Sequence, residues 1–263
     1  MDRRGTSKSV SASALNSSDY WDLSAQPLNC LLFILPLIFL YEVGVVWAGP
    51  SAMRNGADVW LRNFLSQLGV GEYIFLPLAT CGLLFGLHHI SRRKWELRGD
   101  VLSGMICESF CFGVGILVVA RVFWQVAHTT FSPTELNAFE LEAAMTTSSD
   151  LAHVPRMLSY LGAGIYEELL FRFVLLSSSV WVLTKVGVDR FSSHAFAVLS
   201  TSLLFAAAHY QLFFAMGFEF TWYSFAFRIC AGALFSLLYL RRGFGIVVGA
   251  HAVYDILVAT IAA

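Results

Sequence analysis

The sequence predicts an all-α protein that crosses a membrane several times, and three observations carry that prediction. Charged residues make up only 13% of the 263 positions, about half the share found in soluble domains. Hydrophobic residues make up 57%, and the mean hydropathy is +0.66. The apolar residues gather into runs of about 18 or more, the length a helix needs to cross the hydrocarbon of a bilayer. The net charge of −1 says nothing about partners, and no basic patch supports nucleic-acid binding. The expected architecture is a polytopic bundle of about seven transmembrane helices, with one short interfacial helix and one helix in an external loop.

Residues 1–27 are polar, serine-rich and weakly basic through Arg3, Arg4 and Lys8. They carry no cleavable signal pattern and read as a disordered cytoplasmic tail. Tyr20 and Trp21 sit where an interfacial aromatic belt begins. Residues 28–263 read as a single membrane domain. Its first span, 28–48, contains Pro36, a kink signal, and Glu42. Residues 57–68 alternate apolar and polar positions with helical period, which fits the interfacial helix. The second span is 73–90, and the third is 101–126, with Glu108 and Arg121 inside. The loop 127–156 holds Ser132-Pro133-Thr134-Glu135, a capping serine, a proline at the first helical position and a glutamate at the third. A surface helix over 133–145 is expected to follow. Spans four to seven are 157–183, 194–215, 222–240 with Arg228 inside, and 244–262.

Orientation follows from the lysines and arginines outside the spans. Eleven fall in the tail, the 92–98 loop, the 185–190 turn and the 241–242 turn, against Arg54, Arg62 and Arg156 on the other side. The bias places the N-terminus in the cytoplasm. No internal repeat supports an inverted-repeat transporter. Cys30, Cys81, Cys107, Cys111 and Cys230 all lie in apolar segments and read as packing residues, and their odd number gives no disulfide framework.

The fourth span holds the residues hardest to explain as lipid-facing. Glu167, Glu168 and Arg172 lie within an otherwise apolar run, and a charge at the bilayer centre costs about 2.5–3.5 kcal/mol on insertion scales. Glu168 and Arg172 are i, i+4 and can pair on one helix face, as structural glue or as support for a site. Glu167 is turned about 100° away on an α-helix, without that partner, and is free to face a cavity. Two further signals follow. Phe205 and His209 close the fifth span, and His251 and Asp255 share one face of the seventh. His209 can instead be a polar contact between helices, and His251–Asp255 a satisfied pair. Brought together, the four groups make a polar pocket suited to hydrolysis. A carboxylate base activates water, and imidazole or amide donors steady an oxyanion. Glu42, Glu108, Arg121 and Arg228 read as interhelical pairs, and His88-His89 and His194 as interfacial.

Taken together, Glu167-Glu168-x-x-x-Arg172, Phe205-x-x-x-His209 and His251-x-x-x-Asp255 resemble the CPBP family, which comprises the CAAX prenyl endopeptidases and the bacteriocin-processing Abi proteins. The resemblance covers a motif-bearing core of 155–260. It implies an intramembrane endopeptidase acting on a membrane-associated protein or peptide, in the inner membrane of a prokaryotic cell. Carried to the matching positions, Glu167 activates the water, Glu168 and Arg172 support it, His209 binds or polarises the water, and His251 with position 255 stabilises the oxyanion. The prenyl endopeptidases usually show Asn at the last position. Asp255 can serve an oxyanion only when protonated; otherwise it orients His251. The reading needs no cofactor. A metal, with zinc the candidate, would draw on Glu167, His209 and His251. The rival classes are a transporter or proton relay using the buried Glu, His and Asp groups, and a non-enzymatic immunity or scaffold protein. The span ends set His209 toward the outside and His251 toward the cytoplasm, so the two meet only if their helices are offset.

Overall fold

Every element of the computed structural model is helical across the residues it describes, which are 17–49, 52, 54–70, 74–130, 153–210 and 220–261. The helices are α1 (Ser17–Ser24), α2 (Pro27–Ala48), α3 (Gly56–Gln67), α4 (Phe75–Ile90), α5 (Gly99–Thr130), α6 (His153–Gly162), a π-helix (Ala163–Leu176), α7 (Ser177–Lys185), α8 (Arg190–Ala207), α9 (Trp222–Arg242) and α10 (Phe244–Ile261). The expected helix at 133–145 lies outside the described residues.

Four of these helices, α2, α5, α9 and α10, are long and apolar enough to cross a membrane alone. The other expected spans fall on the shorter α4, on the continuous run α6–π–α7, and on α8. Large apolar side chains such as Phe39, Trp47, Ile106, Phe110, Leu199 and Trp222 point outward. Patches of that kind do not persist in water; against lipid they are the expected surface. Polar side chains inside the bundle return hydrogen bonds to their own helices: Thr80 to the Leu76 carbonyl, Thr201 to Ala197, Ser236 to Gly232.

The π-helix lies at the centre. From Ala163 to Leu169 every residue is buried, and a helix apolar or sealed all round its circumference belongs in the middle of a bundle. Glycine permits its closest contact. A Cβ on Gly164 would lie 2.9 Å from Ala252 Cβ and 3.0 Å from the Ala252 nitrogen of α10. α10 starts deep. Its preceding turn uses Gly243 at φ +83°, a value that favours glycine, and packs on Ala25. Ser177 Oγ and Tyr239 OH are 2.8 Å apart, which ties the start of α7 to the last turn of α9. His251 on α10 reaches Glu168 on the π-helix, 2.6 Å away.

The structure corrects several expectations. Residues 17–24, assigned to a disordered tail, form α1, which docks on α5. Tyr20 OH donates to Glu108 Oε2 at 2.6 Å. Arg242 bonds Glu108 and stacks 3.8 Å over the Trp21 ring. The helix over 57–68 is not merely interfacial: Asp58 and Arg62 are buried against α2 and the π-helix. Within the His88-His89 pair, His88 is buried with its ring edge-on to Trp95, while His89 is exposed. The fifth span was expected to reach 215, but its helix ends at Ala207. The pairing expected for Glu42, Glu108 and Arg228 is present, whereas Arg121 is exposed.

Candidate active site

The fourth-span motif sits on a π-helix, where the expectation assumed α geometry. Its backbone closes i→i+5; the Ser177 N–H, for example, reaches the Arg172 carbonyl. The wider turn rotates each residue by less than the α-helical 100°. π segments are rare and concentrate at functional sites. Glu167 and Glu168 nonetheless face different partners, because different helices supply them.

Glu168 lies in a closed ion-pair cluster. Its Oε1 is 3.1 Å from Arg172 Nη1 and accepts from His251 Nδ1 at 2.6 Å. Arg172 is wholly buried, donates to the Gly232 carbonyl at 3.2 Å, and lies 4.3 Å from the Phe205 ring centre and 5.4 Å from that of Phe235. Delocalised guanidinium stacks on aromatic faces in this way. His251 is itself stacked on Phe235 at 4.4 Å. Its Nε2 stands 3.5 Å from Asp255 Oδ2, longer than a good hydrogen bond.

Glu167 lies in a different setting. Its Oε1 accepts from the Asn55 side-chain amide at 2.8 Å. Its Oε2 is buried with no hydrogen bond among the described residues, and sits 3.9 Å from His209 Nε2. His209 Nδ1 is 2.8 Å from the Phe205 carbonyl. A carbonyl only accepts, so Nδ1 carries the proton and a neutral ring presents a lone pair at Nε2. Two acceptors therefore face each other at a distance that one water spans with ordinary hydrogen bonds to both. His209 retains 23% side-chain exposure, against 9% for Glu167.

Of the sequence-derived site residues, Glu167 and His209 come together, and Glu168, Arg172, His251 and Asp255 form a second, adjoining cluster. The three groups named for a metal do not converge. His251 is engaged at Nδ1 by Glu168 and faces Asp255 at Nε2, and no set of three His, Cys, Asp or Glu side chains forms a metal site among the described residues.

Sequence reasoning missed Asn55. It also did not name the partners of Tyr41 and Glu42, which belong to the cluster fastening α3 to the π-helix. Tyr41 OH donates to Asp58 at 2.7 Å, Arg62 bridges Asp58 and Glu42 at 2.6 Å each, and Tyr166 OH donates to Glu42 at 2.6 Å. The Asn55-Gly56-Ala57-Asp58 start of α3 carries a helix-capping signal, but nothing local ties it to a glutamate 112 positions away.

No curated protein and no solved structure matches the chain. A family model does, over residues 151–257, a stretch that contains all three motifs: type II CAAX prenyl endopeptidase, Rce1-like. That segment, under half of the chain, is similar to the Rce1-like family of CAAX-type membrane proteases.

Proposed function

We propose that the protein is an intramembrane endopeptidase in which Glu167 activates a water held between its own Oε2 and His209 Nε2. The supporting observation is the pair of facing acceptors 3.9 Å apart, a buried Glu167 oxygen opposite a part-exposed His209. A water there donates one hydrogen to each and turns a lone pair outward. It attacks the carbonyl carbon of a peptide bond as its proton passes to Glu167. The C–N bond then breaks and Glu167 returns the proton to the leaving amine. General-base help of this kind contributes roughly 10²–10⁴-fold.

Glu168 and Arg172 act behind this step by fixing His251, whose Nδ1–H donates to Glu168. With Nε2 protonated as well, its Nε2–H is the donor that faces a developing oxyanion, and Asp255 beside it is an orienting carboxylate rather than a donor. No step is routed through a metal. The substrate is a membrane-associated protein or peptide. The excess of Lys and Arg in the tail and in the 92–98 and 185–190 segments, taken from the sequence, supports an N-terminus in the cytoplasm.

The test compares membranes containing wild-type protein and Glu167→Gln by quantitative proteomics, alongside cleavage of a prenylated CAAX-type peptide by the purified protein. Glu167→Gln should accumulate an uncleaved species and leave the peptide intact. Wild-type cleavage by Glu167→Gln would overturn the reading. A chelator should leave wild-type cleavage unchanged; loss of activity that added zinc restores would overturn the metal-free route.

A further inference from the structure

We propose that Asn55 is a positioning residue of this site: its amide holds one oxygen of Glu167 and so commits the other to the water beside His209. The proposal rests on the reading of Glu167 as the base. A carboxylate has two equivalent oxygens and a flexible stem, and an unrestrained Glu167 would divide its time between orientations. Asn55 Nδ2 donates to Oε1 at 2.8 Å, which leaves Oε2 toward His209.

The orientation of the Asn55 amide is itself settled. Asn55 is the N-cap of α3, and its Oδ1 accepts from the Ala57 N–H at 2.8 Å. The oxygen is therefore turned to the backbone and the NH₂ to Glu167. Serine, threonine or aspartate would cap this helix as well. Among good cap residues only asparagine accepts from the helix while its side-chain NH₂ donates to a carboxylate.

The helix carrying Asn55 is fixed to the helix carrying Glu167. The Tyr41–Asp58–Arg62–Glu42–Tyr166 chain joins α3 to Tyr166, the neighbour of Glu167. The Tyr41 ring packs edge-on to Tyr166 at 5.5 Å and occupies the space a Cβ would take on Gly162. α3, expected to lie on the membrane surface, is on this inference the outer wall of the site.

Two variants separate the amide from the cap. Asn55→Asp keeps a strong cap and replaces the donor by a second carboxylate. Asn55→Gly keeps a tolerated cap and removes the donor without adding charge. Both are purified as the full chain in lipid nanodiscs with carboxylate-labelled glutamate, and the Glu167 infrared band is identified by its loss in Glu167→Gln. The expectation is a shifted Glu167 band in both variants and an unchanged unfolding temperature. On a prenylated CAAX-type peptide kcat should fall roughly 10- to 100-fold, as for one lost hydrogen bond to a charged group, with KM unchanged. A Glu167 band that stays at its wild-type frequency in both variants overturns the proposal. If Glu167→Gln is inactive while both Asn55 variants cleave at the wild-type rate, the positioning role fails and the base survives. If Glu167→Gln still cleaves, the base reading fails, and with it the positioning role.

Discussion

On one side of the π-helix, Glu168 meets Arg172, His251 and the faces of Phe205 and Phe235. On the other, Glu167 meets Asn55 and His209. The two carboxylates are adjacent in the chain and both nearly free of exposure, at 0% and 7%. Each also has an Oε2 without a hydrogen bond among the described residues. The partners make the difference. Glu168 is neutralised by a buried cation and held in place, which suits a structural charge. Glu167 is held by a neutral amide and faces a lone pair, which suits a group that takes a proton from water. Burial alone does not distinguish a site residue from a scaffold residue here.

The comparison can be broken first on the Glu168 side. Arg172→Ala leaves Glu168 without its countercharge in a sealed place, which should cost about 3–5 kcal/mol and appear as a large drop in unfolding temperature. An unchanged transition would mean that the ion pair is not holding the fold. On the other side, His209→Ala should lower cleavage of a prenylated CAAX-type peptide roughly 10²-fold, about 2.7 kcal/mol of barrier, while the unfolding temperature stays near wild type. Between the two sides, Gly164→Ala should cost about 1–3 kcal/mol by overpacking. The neighbour it meets includes the Ala252 backbone, which cannot move aside as a side-chain tip can.

The smallest effect is expected remote from both carboxylates. Asp189 caps α8, and hydrogen bonds from Ser192 hold its carboxyl below the usual range. A lowered native value means its contribution is complete above the ordinary carboxylate range and is lost as pH falls through its own value. Asp189→Ala should lower the unfolding temperature slightly at neutral pH, converge with wild type in strong acid, and leave cleavage untouched.

The motif half of the site was legible because charges inside apolar spans are costly and therefore informative. Glu167, Glu168, Arg172, His209 and His251 each stood out as a polar residue in a run of hydrophobic ones. The partner of Glu167 did not, because Asn55 sits in an ordinary polar segment and acts over a long sequence separation. The π-helix was illegible for another reason: Ala163–Leu176 has the composition of an α-helix, and its i→i+5 closure comes with burial of every residue from Ala163 to Leu169. α1 was misread because its polar composition matches a tail, while what orders it, Glu108 and Arg242, lies far along the chain. That His209 meets Glu167 while His251 meets Glu168 depends on how three helices pack, which span lengths do not encode.

On the proposed reading, the neighbouring glutamates divide the labour, Glu167 serving cleavage and Glu168 the fold. The most direct test of that division is one paired measurement, unfolding temperature and membrane-protein cleavage, on Glu167→Gln and Glu168→Gln in the same membranes. The expected result is that Glu167→Gln unfolds with wild type yet accumulates an uncleaved species, while Glu168→Gln unfolds at a lower temperature. Wild-type cleavage products in Glu167→Gln membranes, or the same loss of stability in both variants, would contradict it.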